Sequence, residues 1–148
     1  MRILLLAAAV LFAAQAGARA AVTDVTYYLQ LVRGSDDPAP PAPGAKRLGA
    51  KLDSRLQAVF RWKHYWELKR DSVTVKLGQK VRRRLSEERE VELTLVSERE
   101  LDVRLYRKGQ QTCLGRQAAK AEFFVLGGDK ETNQSWFIVV RRDKPPEE

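Results

Sequence analysis

Apolar and polar residues alternate along most of this chain, and where the alternation stops the composition changes abruptly. From Val22 to Arg33, Val25, Tyr27, Leu29 and Leu31 fall on one side of an extended backbone and Thr26, Tyr28, Gln30 and Val32 on the other. That period of two predicts a strand. Gly34 to Ala45 (GSDDPAPPAPGA) carries four prolines and nothing apolar beyond alanine, so it is expected to cross the surface as an extended loop. Leu48, Leu52, Leu56 and Val59 or Phe60 then recur at helical spacing, with Asp53, Arg55 and Gln57 polar. One short amphipathic helix is predicted there.

After the helix the period returns to two. Phe60, Trp62, His64, Trp66 and Leu68 are expected on one strand face, with Arg61, Lys63, Tyr65, Glu67 and Lys69 on the other. Val73, Val75 and Leu77 continue the alternation, Gly78-Gln79 predicts a two-residue hairpin turn, and Val81 to Leu85 is the returning strand. Val91, Leu93 and Leu95, then Leu101, Val103 and Leu105, make two more strands joined through Ser97 to Glu100. Lys108-Gly109 marks another turn; Ala121 to Leu126 and Trp136 to Val140 are the last strands, separated by a polar loop from Gly127 to Ser135. SEERE and SERE would also suit a helix, but the strict alternation around them selects strands. The pattern predicts an all-β fold: a single antiparallel β-sandwich or partly open barrel with one short amphipathic helix.

The start of the chain has a different character. Met1-Arg2, the apolar run from Ile3 to Ala14, and Ala18-Arg19-Ala20 form the n-region, h-region and small-x-small site of a secretory signal peptide over residues 1–20. The run is shorter than a bilayer span, which needs about 18 to 20 apolar residues. An exported protein, periplasmic or extracellular, is therefore expected, with a mature domain over 21–148, a proline-rich loop at 34–45 and a flexible tail at 143–148. Removing the leader takes away Arg2 and Arg19 and no acid, so the formal charge falls from +8 to +6. That excess favours acidic partners. Cys113 is the only cysteine, so no internal disulfide can form and burial must hold the domain together.

Few residues suggest chemistry. His64 is the only histidine, and its expected place between Trp62 and Trp66 suits a half-buried ring bonded to a backbone carbonyl. A hydrolase using His64 and Cys113 would need the two to meet, and QQTCLGRQ carries no cysteine-hydrolase signature. One histidine and one cysteine show no zinc-ligand spacing. Asp129, Glu131, Asn133 and Ser135 alternate oxygen donors like the start of a calcium loop, but Gln134 stands where glycine is needed and Val140 where glutamate is. Neither a metal site nor a cofactor is expected. Trp62, Trp66 and Trp136 could stack on sugars, although core filling is the default explanation for them.

The most distinctive local feature is basic. Lys76, Lys80, Arg82 and Arg84 are expected on one face of a hairpin, with Glu87, Glu88, Glu90 and Glu92 close enough to cancel part of their field. No aromatic residue interleaves with them, which disfavours single-stranded nucleic acid. With no catalytic motif visible, the sequence favours a non-enzymatic binding or assembly module that contacts a partner protein or an acidic envelope polymer through these four residues. The alternatives are a carbohydrate-binding domain using tryptophan and a small hydrolase using His64 and Cys113.

Overall fold

The computed structural model describes residues 24–146, so the leader expected over 1–20 lies outside the described residues. The elements are β1 (Val25–Ser35), β2 (Lys46–Arg47), α1 (Ala50–Val59), β3 (His64–Val75), β4 (Lys80–Arg84), β5 (Arg89–Leu95), β6 (Glu100–Arg107), β7 (Gln110–Ala118), β8 (Phe123–Glu131) and β9 (Gln134–Arg141). They form two antiparallel sheets, one of five strands in the order β2-β3-β1-β9-β8 and one of four in the order β4-β5-β6-β7. The all-β sandwich expected from the alternation is what the chain forms. No helix among the described residues is long and apolar enough to cross a membrane.

β1 lies between β3 and β9, and both of its faces are covered. Tyr27, Leu29 and Leu31 meet Val91, Leu93, Leu101 and Val103 of the other sheet, forming the sandwich core. Val32, on the reverse face, belongs to a second cluster with Tyr65, Phe137, Val139, Trp62 and the two buried leucines of α1, Leu52 and Leu56. The domain therefore has three layers: the four-stranded sheet, the five-stranded sheet and α1. Each large apolar side chain fully buried in these clusters contributes about 1.5 to 3 kcal/mol relative to exposure.

A bulge in β3 lets one strand serve both clusters. Leu31 pairs with Lys69 but Val32 pairs with Glu67, which leaves Leu68 as the extra residue. Before it, Tyr65 and Glu67 share the α1 side with Gly34 and Val32; after it, Val73 and Val75 turn toward the four-stranded sheet.

Several expectations fail for identifiable reasons. Trp62 precedes β3 and packs beneath α1, whereas Trp66 pairs with Arg33 and Arg47 on the opposite face, so the two tryptophans do not share a face. Gly78 does turn the chain with φ 75°, but β3 and β4 belong to different sheets and do not pair. The segment is a crossover, and Leu77 bridges Leu95 in parallel. The polar stretch Gly127 to Ser135 is mostly strand, closed by a two-residue turn at Thr132-Asn133. Near the chain end, Arg70 Nη1 donates to the carbonyls of Pro145 and Pro146 at 3.1 Å each.

Candidate functional site

Of the four residues expected to form one basic face, the structure brings together three. Lys80, Arg82 and Arg84 project from β4 on the outer face of the four-stranded sheet, opposite Thr94, Glu92 and Glu90 of β5. Lys76 is exposed but lies in the crossover between the sheets, outside that ladder. β6 and β7 add two cations to the same face: Arg104 is paired with Glu92 and Leu114, and Arg116 with Asp102. Only the register across the four strands joins them to β4.

The face is a grid of five cations over three recessed carboxylates, Glu90, Glu92 and Asp102, with one further acid, Glu100, exposed at the end of β6. Side chains of Lys80, Arg84 and Arg116 are 61%, 70% and 55% exposed, while those of Glu92 and Asp102 are 10% and 8% exposed. Arg82 spans Glu90 at 3.9 Å and Glu92 at 3.8 Å, with its guanidinium 3.4 Å from the centre of the Tyr106 ring. Arg104 lies 3.6 Å from both Glu92 and Asp102. The hydrogen bond from Arg116 holds the Asp102 carboxyl below the usual range against the opposing effect of burial. The carboxylates sit beneath the cations, so solvent meets mainly ammonium and guanidinium groups. Arginine has five donors, and these separations leave many of them for another acceptor.

The other candidates are dispersed. His64 opens β3 half-buried, and its Nδ1 accepts from Arg47 Nη1 at 3.0 Å; its partner is that side chain and not a backbone carbonyl. Cys113 is half-buried in β7 against the sandwich core. β7 meets β8 at one corner, where Gly115 abuts Phe124 and Leu126, and β3 is three strands away from β8. At about 4.8 Å per strand that separation is roughly 14 Å, too far for a dyad. Trp62 and Trp66 are buried, and Arg47 and Arg89 stack on Trp66 and Trp136 at 4.2 and 3.9 Å. In the segment whose oxygen donors alternate, Glu131 accepts a hydrogen bond from Gln134 and lies 4.0 Å from Arg89. Among the described residues no three His, Cys, Asp or Glu side chains are grouped to hold a metal.

A feature with no sequence signal lies on the α1 side of the five-stranded sheet. Gln30, Glu67, Arg70 and Arg141 form a polar chain across β1, β3 and β9 beneath a cleft of about 350 Å³. Periodicity missed it because β1 reads as one apolar and one polar face, and nothing in the sequence shows that the polar face is covered.

Compared with known protein families, curated proteins and solved structures, the chain matches none.

Proposed function

We propose that this protein is an exported, non-enzymatic binding module that contacts an acidic polymer through the outer face of its four-stranded sheet. The observation that carries the reading is the depth of the charges: Lys80, Arg84 and Arg116 reach solvent while Glu92 and Asp102 are recessed. A polyanion can meet Lys80, Arg82 and Arg84 without approaching Glu92 or Asp102, and its binding releases counterions, so affinity falls steeply with salt. Export rests on the leader-like segment at 1–20, and the formal charge of +6 left once that segment is removed favours the same class of partner.

Elution from immobilised heparin, a model polyanion, tests the reading. Arg82→Gln/Arg84→Gln should elute at clearly lower salt than the wild type. Neutral glutamine is preferable to charge reversal, which would set new carboxylates against Glu90 and Glu92. Equal elution of the two proteins, with melting temperatures confirming both folded, would overturn the proposal.

A further inference from the structure

We infer that the open edge of β4 binds an extended acidic polypeptide segment, which adds as a further antiparallel strand with carboxylates at alternate positions. This goes beyond the outer-face reading: that face needs charge alone, whereas this edge also needs a partner backbone.

Hydrogen bonding within the four-stranded sheet fixes which groups β4 leaves open. Leu85 N donates to the carbonyl of Arg89 at 2.9 Å, and Val96 N donates to that of Glu100 at 3.0 Å. The first bond closes the turn from β4 to β5 and the second closes the turn from β5 to β6. Odd-numbered residues of β5 therefore exchange backbone bonds with β4, and even-numbered ones with β6. In that register Val81 and Arg83 are engaged with Leu93 and Val91. The N–H and C=O groups of Lys80, Arg82 and Arg84 point the other way, where β4 has no neighbouring strand among the described residues. On this edge the Arg82 carbonyl accepts from the exposed Arg83 Nη1 at 3.2 Å, a contact that an incoming N–H replaces. Lys80, Arg82, Arg83 and Arg84 are all exposed.

The residues that open the edge also carry the cations. Lys80, Arg82 and Arg84 project their side chains on the outer face. An antiparallel strand sets its residues directly opposite them with side chains on that same face, so a carboxylate at every second position meets one cation. β5 already does this from the other side: Glu92 lies 3.8 Å from Arg82 and Glu90 lies 3.9 Å from Arg84. These separations are longer than hydrogen bonds and leave donors on both arginines for a second acidic strand. The position opposite Val81 falls on the inner face, beside the sandwich core, and suits an apolar residue. The charge also sets what the edge excludes. A second copy of β4 would bring lysine and arginine against lysine and arginine, and strands carrying like charge resist pairing. A glycan would match the charge but has no repeating N–H and C=O to complete the ladder.

Fluorescence-anisotropy titration with the end-blocked peptide Thr-Glu-Thr-Glu-Val-Glu-Thr tests the edge. Two derivatives keep its charge. One is N-methylated at every glutamate, whose N–H groups would face β4; the other is N-methylated at the threonine and valine between them, whose N–H groups would face away. The first should bind at least tenfold more weakly than the parent, and the second within twofold of it. Amide hydrogen exchange at Arg82 and Arg84 should slow when the parent binds, with a smaller change at Val81 and Arg83, which are already bonded to β5. Absence of saturable binding by the parent would overturn the proposal. So would equal binding of parent and both derivatives, which would mean attraction by charge alone. Heparin offers no strand to the edge, so its elution reports separately on the outer face.

Discussion

Asp102 and Arg116 face each other across β6 and β7 as a bidentate pair, Nε to Oδ1 at 2.6 Å and Nη2 to Oδ2 at 3.1 Å. The carboxylate is buried and the guanidinium is largely in water, so the pair ties an edge strand to its sheet while exposing only positive charge. Because Arg116 holds the folded-state pKa of Asp102 down, the stabilisation is complete above the unfolded value, about 3.9, and is lost as pH falls through the folded one. Asp102→Asn should lower stability at neutral pH by about 1 kcal/mol, a figure kept small by the exposure of Arg116. Urea unfolding at a series of pH values should show the two proteins converging in acid. A constant difference down to the lowest pH would mean that the pair contributes through packing alone.

Alkali should act on the other layer. Burial beneath α1 pushes the Tyr65 hydroxyl up to about 12, and the hydroxyl donates to the carbonyl of Leu56 at 3.3 Å. Burial also raises Tyr27, against the attraction of Arg142. A raised folded-state pKa gives stability that is complete below the unfolded value, about 10, and is lost as pH rises through the folded one. Tyr65→Phe should cost about 1 kcal/mol at neutral pH and make the decline between about pH 10 and 12 shallower, with Tyr27 supplying the remainder. Chemical denaturation across that range measures both effects, and an unchanged alkaline slope would locate the titration elsewhere.

Gly34 is where the second cluster is tightest. A Cβ placed there would lie 2.6 Å from Trp62 Cδ1 and 3.0 Å from Tyr65 Cε1, closer than atoms approach. Both rings are buried, so neither can swing into solvent. Gly34→Ala should therefore destabilise the protein by about 1 to 3 kcal/mol through overpacking, seen as a lower denaturation midpoint and altered tryptophan emission. A midpoint matching the wild type would show that Trp62 has room to move.

The parts of this fold that were legible in the sequence are those where apolar residues repeat on one face. β5 and β6 are the clearest, with Val91, Leu93 and Leu95 against Leu101, Val103 and Leu105 in register. β7 was not legible, because its inward positions are Cys113, Gly115 and Gln117 and its most exposed large apolar residue, Leu114, points outward. Gly115 is inward because Phe124 and Leu126 occupy the space a side chain would fill. The basic site was legible in part: Lys80, Arg82 and Arg84 alternate along β4, but their carboxylate floor comes from strands whose order the sequence does not state. Lys76 was joined to them by a turn that reads as a hairpin locally and is a crossover in space. The cleft was illegible because its members, from Gln30 to Arg141, are neighbours only through sheet register.

The extra residue at Leu68 also bears on how the molecule comes apart. On either side of it β3 contributes to different hydrophobic clusters while pairing with one continuous partner, β1, which is itself covered on both faces. Sliding β3 along β1 by one position would turn Tyr65 away from the helix layer and Val73 away from the sandwich at the same time. A slip thus forfeits both contacts and gains neither, which pins the register without a disulfide. The same sharing joins the layers mechanically: α1 cannot peel away without uncovering β1 and β3, the strands on which the sandwich is built. The three layers should accordingly melt as one cooperative unit.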